Sequence, residues 1–321
     1  MKSINFILFV VVFFTLTACE KKIENKSLVI YCSIDEIWSA PLFKKFTDKT
    51  GIIVKPVYDS EANKSVGLAN RLIAEKNNPI ADVYWSGEPL QIERLALSGV
   101  LKPYLEAGIK LPEYFSSWNN TFWFPNSFRQ RVFVINTNII KNAKNYPTSV
   151  FDLTNKIYYG KISMANHNFG STLFHFVSLY TKLGEKNFLT FMANIRKNKV
   201  KVYAGNSQVA LQTVNGNSAF GLTDNDDAQR EIKKGAPIVM KGCGDYFPSG
   251  IGIINKKEIK NEQLKQFVNF IISDEIQSEL HSKVPYNYKV RQVMKNKLYE
   301  DNSAELSRNM KKFNHIRTQK K

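Results

Sequence analysis

Between Leu28 and Gly99 the chain alternates short apolar runs with stretches of helical periodicity, and few architectures accept that order. Leu28 to Tyr31 reads as a strand, Ile37 to Thr50 as a helix stopped by Gly51, and Ile52 to Tyr58 as a second strand. Ser65 to Lys76 carries the next helical pattern. Asn77-Asn78-Pro79 breaks it, Ala81 to Trp85 is a third strand, and a helix from Pro89 to Ser98 ends at Gly99. Strands separated by helices pair in parallel through right-handed crossovers, so this part of the chain builds an α/β layer.

The second half continues the logic. Arg131 to Asn136 and Lys161 to Met164 read as strands, followed by helices at Ser171–Leu183, stopped by Gly184, and at Phe188–Lys197. Lys199 to Tyr203, Ala219 to Thr223 and Ile251 to Ile254 are further strands. Helices are expected at Gln208–Val214, Asp226–Lys234 and, as one long stretch, Asn261–Leu280. The polar, basic tail beyond Glu300 reads as frayed. The expected organisation is two α/β lobes, residues 27–131 plus about 237–285 and residues 132–236. A C-terminal helical region and basic tail cover about 286–321, and crossover strands near Val132–Asn136 and Ile238–Ile254 form the hinge.

The first residues belong to transport rather than to the fold. Lys2, the apolar run Ile4–Phe14 and Leu16-Thr17-Ala18-Cys19 have the order of a secretory leader, residues 1–19, and the run is short for roughly 30 Å of hydrocarbon. The ending resembles a bacterial lipobox, which makes Cys19 the expected lipid-bearing first residue of the mature chain. At 43% hydrophobic the chain has material for real cores, which excludes general disorder. The net charge of +17 raises the question of nucleic acid. The basic residues are scattered and the leader makes secretion the expectation, so a basic surface facing anionic lipid is the expected reading. Cys32 and Cys243 would meet an oxidising compartment, and sequence alone does not set their separation.

In open α/β sheets ligands bind beyond the carboxyl ends of the strands. Those positions hold Ser33 and Asp35, then Glu61, then Glu88, and in the second half His167, Ser171, Thr172, Asn206, Asp224, Asp226 and Asp227. Three groups, Gly170–Thr172, Asn206–Ser207 and Asp224–Asp227, open helices. Free first-turn amides there bind anions, or the same side chains serve as ordinary N-caps. Arg129 is placed to clamp an oxyanion or to cover the sheet edge. Arg131 opens an apolar run and is expected on the other face. His175, among apolar neighbours, reads as a core residue. No nucleophile elbow, zinc helix or P-loop is present, and Asp224-x-Asp226-Asp227 lacks the remaining oxygens of an EF-hand loop. Binding is therefore expected rather than catalysis.

Leu28-Val29-Ile30-Tyr31-Cys32-Ser33, Thr50-Gly51-Ile52-Ile53-Val54, Ala81-Asp82-Val83-Tyr84-Trp85, Arg131 to Thr137, Gly205-Asn206-Ser207 and Gly221-Leu222-Thr223-Asp224 resemble, in order, the extracellular solute-binding proteins of iron(III)-type ABC importers. The resemblance implies a two-lobed periplasmic-binding-protein (Venus-flytrap) fold without catalytic activity or resident cofactor, acting as a monomer. It also implies capture of ferric iron with a synergistic anion and delivery to a permease and its ATPase. Asp226-Asp227 stand where ferric-binding members carry adjacent tyrosines, and Asp35 where they carry a histidine. Asp35, Asp226 and Asp227 are thus the expected metal ligands, carboxylates being hard donors. The anion positions correspond to Ser171, Thr172 and Asn206, with Arg129 nearby. Relatives that take phosphorylated organic compounds make a small phosphate or phosphonate the alternative ligand. A metal-dependent hydrolase built on Asp224–Asp227, with His167 as its base, is the alternative from another class.

Overall fold

The computed structural model describes residues 26–58, 64–283, 289–296, 299 and 302–318. The 1–19 leader with Cys19, and Glu61, lie outside the described residues. The first elements are β1 (Ser27–Cys32), α1 (Glu36–Thr50), β2 (Ile53–Tyr58), α2 (Lys64–Ala74), β3 (Val83–Ser86), α3 (Pro89–Leu97) and β4 (Leu101–Lys102). Then come β5 (Trp123–Asn136), β6 (Ile162–Ala165), α4 (Gly170–Lys197), β7 (Lys201–Tyr203), α5 (Asn206–Val214), β8 (Phe220–Asp224) and α6 (Asn225–Lys233). The last are β9 (Ile238–Ile254), α7 (Asn261–Ile271), α8 (Asp274–Lys283), α9 (Val290–Lys295) and α10 (Ser303–Thr318).

Strands pair in the order β2-β1-β3-β9-β5-β8-β6-β7, with β4 on β9. The outer groups β2-β1-β3 and β8-β6-β7 are parallel, as the alternating pattern requires, while β9 and β5 run antiparallel to their neighbours. The hydrogen-bonded path is continuous, but the buried residues are not. Trp85, Phe46, Phe124, Ile251 and Phe267 share one core, and Phe133, Phe176, Phe220 and Phe247 share another. The fold is two-lobed, and β5 and β9 pass through both lobes.

Along β5, Phe133 and Ile135 enter the second core. Val132 and Val134 join Val209 and Ala228 in a smaller cluster on the opposite face. This period of two buries both faces of the second lobe's sheet. Register shifts at Pro125/Ser127 and Gln130/Val132 mark where β5 leaves one lobe for the other.

The first crossover strand is longer than expected, β5 beginning at Trp123, while β9 spans the expected crossover segment Ile238–Ile254, of which Ile251–Ile254 alone carries a plain strand pattern. Pro125 and Pro248, with four glycines between 242 and 252, hide the strand signal. Gly250 lies beneath Trp123, where a Cβ would fall 2.6 Å from the indole. Gly184 divides α4 as expected, with φ 72° and ψ 164°. The expected long helix from Asn261 is two helices, α7 and α8. Cys32 and Cys243 form no disulfide with each other. No described helix is long and apolar enough to cross a membrane.

The largest departure is the C-terminus. The described part of the basic tail forms α10, which buries Leu306, Met310 and Phe313 in the second lobe's core. Phe313 meets Phe188 and Tyr180 at 5.5 and 6.1 Å between ring centres. Asn309 donates to Thr181 of α4 at 3.0 Å, and Gln91 of α3 reaches Met310 Sδ at 3.8 Å. Spacing of three and four residues places this apolar stripe on one helix face, and the surrounding lysines and arginines obscure it. Phe313→Ala should lower the unfolding free energy by about 3–5 kcal/mol in a urea titration. A fraying tail would leave it unchanged.

Candidate ligand cleft

The carboxyl ends of the strands from both lobes enclose a cavity of about 760 Å³. Lobe one supplies Ser33, Ile34, Asp35 and Trp38 around the start of α1, Ser65 of α2, and Gly87 and Glu88 ahead of α3. The crossover strands add Ser127, Arg129 and Ser249. The second lobe adds Asn166, Phe169, the first turns of α4 and α5, and a wall of α6.

Arg131 organises the second-lobe side. It lies directly opposite Asp224 in the β5–β8 register, and both side chains are fully buried and paired. Arg131 Nη1 also lies 3.1 Å from Asn206 Oδ1 and 3.3 Å from Ser171 Oγ. Ser171 Oγ donates to Asp224 Oδ2 at 2.6 Å, and Asn206 Nδ2 donates to the same oxygen at 3.0 Å. Thr172 reaches Asn206 at 3.4 Å. The expectation that Arg131 faces away is therefore corrected. The register shift between Gln130 and Val132 re-aims this residue, as β-bulges do, toward the first turns of α4 and α5.

Arg129 spans the lobes. Its Nη2 donates to Gly87 O at 2.6 Å, and its Nη1 lies 3.3 Å from Asp224 Oδ2 and 3.6 Å from Asp226 Oδ2. Its guanidinium stacks over Phe247 at 4.8 Å. It thus serves the resident carboxylates rather than presenting an open clamp.

The remaining expected residues divide. Ser33 Oγ accepts from the Gly87 N–H at 2.8 Å and lines the cavity, as does the exposed Asp35. Glu88 caps α3, accepting from the Leu90 and Gln91 N–H groups at 2.6 and 3.1 Å, and burial raises its pKa to about 7. Asp227 accepts from Ser207 Oγ at 2.7 Å and pairs with Arg230 at 2.9 Å. Burial raises Asp226 to about 7, with Arg129 opposing and Asp227 and Asp224 reinforcing the shift. His167 is not among the cavity-lining residues. Its ring packs 5.5 Å from that of Phe176.

Asp224, Asp226 and Asp227 each present an oxygen within 4.8 Å of the others, a spacing suited to a hard cation. Asp224, however, already serves two arginines, a hydroxyl and an amide. Sequence reasoning missed Arg230, Lys233 and Lys234, although their spacing puts them on one face of α6, and that face lines the cavity. It also missed Trp38 and Phe169.

Two outcomes test this geometry. Removing one member of a buried pair leaves an uncompensated charge, so Arg131→Ala should cost about 3–5 kcal/mol of stability in denaturant unfolding. Arg131→Ala/Asp224→Ala should cost less than the two single substitutions added together. Asp226 is a carboxyl whose folded pKa is raised above its model value of 3.8. It therefore weakens the fold as pH rises from there to about 7. Asp226→Asn should raise Tm by a few degrees at pH 8, and that gain should shrink toward zero at pH 4.5.

Comparisons with known proteins bear on the fold and the family. The chain matches an uncharacterised protein of Haemophilus influenzae at 26% identity over 260 residues, 77% of this chain and 73% of that one. Iron-bound HitA from Pseudomonas aeruginosa shares the fold with a TM-score of 0.71 at 22% identity, covering 88% and 92% of the two chains. The periplasmic binding protein AfuA from Actinobacillus pleuropneumoniae, solved with fructose-6-phosphate bound, shares it with a TM-score of 0.70 at 21% identity, covering 89% and 96%. The family model for bacterial extracellular solute-binding proteins matches residues 78–309, most of the chain, and the protein belongs to that family.

Proposed function

We propose that this chain is the substrate-binding component of an ABC importer and that its cleft captures a small organic solute bearing an oxyanion such as a phosphate or phosphonate. The observation that carries the reading is the wall built by α4, α5 and α6. The residues preceding α4 and α5, Phe169 and Gly205, make no side-chain cap, so first-turn N–H groups open toward the cavity. Arg230, Lys233 and Lys234 line the same cavity.

Size and charge support the same conclusion. A cavity of about 760 Å³ suits an organic ligand better than a single ion. The carboxylates are matched by Arg129, Arg131 and Arg230, which reduces the need for an added cation. Tyrosine, histidine and cysteine are absent from the lining among the described residues. A second reading, ferric iron with a synergistic anion, draws on the Asp224/Asp226/Asp227 spacing. In either case the reading is one of binding, as in the extracellular solute-binding family to which the chain belongs.

In this reading residues 27–131 with about 237–285 form one lobe and 132–236 the other. Ligand contacts to both lobes draw them together about β5 and β9. Cys19 carries the lipid that holds the protein at the outer face of a bacterial membrane, and the closed lobes deliver the solute to the permease and its ATPase.

Glycerol 3-phosphate should raise Tm, since a ligand at 100 times its Kd stabilises by about 2.7 kcal/mol. Lys233→Ala/Lys234→Ala should weaken its binding about tenfold by calorimetry. Iron retained stoichiometrically in protein purified without chelators, lost in Asp226→Ala/Asp227→Ala and accompanied by no response to the phosphate, would replace this reading with the ferric one.

A further inference from the structure

The tryptophans of this chain divide three to one. Trp85, Trp118 and Trp123 are buried and donate their indole N–H groups at 3.0, 2.8 and 2.7 Å, and each ring packs edge-on against another aromatic. Trp38 is different. It is only partly buried, its N–H meets no acceptor among the described residues, and it joins no ring pair there. The buried face of α1 is formed by Ser39, Leu42, Phe43 and Phe46, so Trp38 is surplus to that helix's packing. It lines the cavity from lobe one.

Phe169 is its counterpart on the second lobe. It is 39% exposed, lines the cavity, and occupies the N-cap of α4, where Ser, Thr, Asp or Asn would supply a hydrogen bond. Phe151, also exposed, packs against Phe191 at 5.5 Å, whereas Phe169 has no ring partner among the described residues. Ile34 and Leu280 extend the apolar lining around these rings. Neither aromatic contributes to a core, and each exposes apolar surface to water inside a ligand cavity, one from each lobe.

We infer that the ligand carries a flat, unsaturated ring in addition to its oxyanion, and that Trp38 and Phe169 receive the ring from opposite walls as the lobes close. This rests on the oxyanion reading above and adds the class of the remaining half of the molecule. An aromatic ring between two aromatic faces gains offset or edge contacts beyond simple burial. The free indole N–H supplies one directed hydrogen bond at its margin. The polar end lies against α4, α5 and α6, and the ring reaches toward the mouth between α1 and the α4 N-terminus.

The test compares methylphosphonate with phenylphosphonate, which share a headgroup and differ by the ring. Calorimetry on the full protein should show phenylphosphonate binding at least tenfold more tightly. Trp38→Ala and Phe169→Ala should each remove most of that advantage, read as the ratio of the two affinities within each variant; neither side chain belongs to a core, and circular dichroism checks the fold. Equal affinities for the two probes overturn the ring assignment and leave the oxyanion reading standing. Equal losses of both probes in the variants also overturn it, because the two aromatics would then only seal the closed cleft. Binding of neither probe, nor of glycerol 3-phosphate, overturns the oxyanion reading and this inference together.

Discussion

Arg131 and Asp224 face each other across β5 and β8 with no access to water, and the binding half of the molecule is arranged around them. Two ions moved out of solvent cost several kcal/mol each, and their attraction offsets this only with good geometry and further hydrogen bonds. Ser171 and Asn206 provide those bonds, and each opens a helix. Satisfying the ion pair therefore fixes where α4 and α5 begin, and with them the amides that face the cavity. The wall of helix N-termini follows from the requirements of one buried pair.

The same strands solve a second problem. A cleft that closes needs two rigid bodies with a compliant connection, yet a broken sheet would leave backbone groups unpaired. Continuous β5 and β9 keep their ladder, and bulges at Pro125/Ser127 and Gln130/Val132 localise the change of direction. Arg129 sits between these bulges and joins Gly87 O of lobe one to Asp224 and Asp226 of lobe two. Its stacking on Phe247 holds the guanidinium in place. Domain position and cleft charge are coupled through this one side chain.

How much of this was legible in the sequence depended on how local the signal was. The βαβ order, the glycine stops at Gly51, Gly99 and Gly184, and the strand-end clustering of Ser33, Glu88, Ser171, Thr172, Asn206 and Asp224 all follow from short-range rules, and the structure places these side chains at the cavity. Arg131 was misplaced because it opens an apolar run and was read with that run, whereas its partners Asp224, Ser171 and Asn206 lie on elements distant in sequence. The early start of β5, and the strand pattern of β9 before Ile251, were obscured by prolines and glycines that suit crossover strands and mimic turns. The apolar stripe of α10 was lost among basic residues because its partners lie far away in sequence, on α3 and α4. Trp38 and Phe169 were overlooked because an aromatic beside a helix start reads as core material. Only the packing shows that neither has a core to enter.

Charge accounting explains why such a cleft can both capture and release. Asp224 is paired with Arg131 in full burial, whereas Asp226 shares Arg129 at 3.6 Å and its Oδ1 meets no partner among the described residues. Burial lifts Asp226 and Glu88 to about 7, so their charge is only partly developed at neutral pH. An anionic group arriving at the α4 and α5 termini meets amides and the α6 cations while the nearest carboxyls carry reduced charge. Repulsion is thereby limited without removing the carboxyls, whose oxygens remain available to hydroxyl or ammonium groups on the same ligand. A site with uncompensated positive charge would hold an anion more tightly and release it less readily. Here each arginine already has a carboxylate partner, so the bound solute adds to a balanced network instead of completing an unbalanced one. That arrangement suits a protein whose task ends with handing its ligand on.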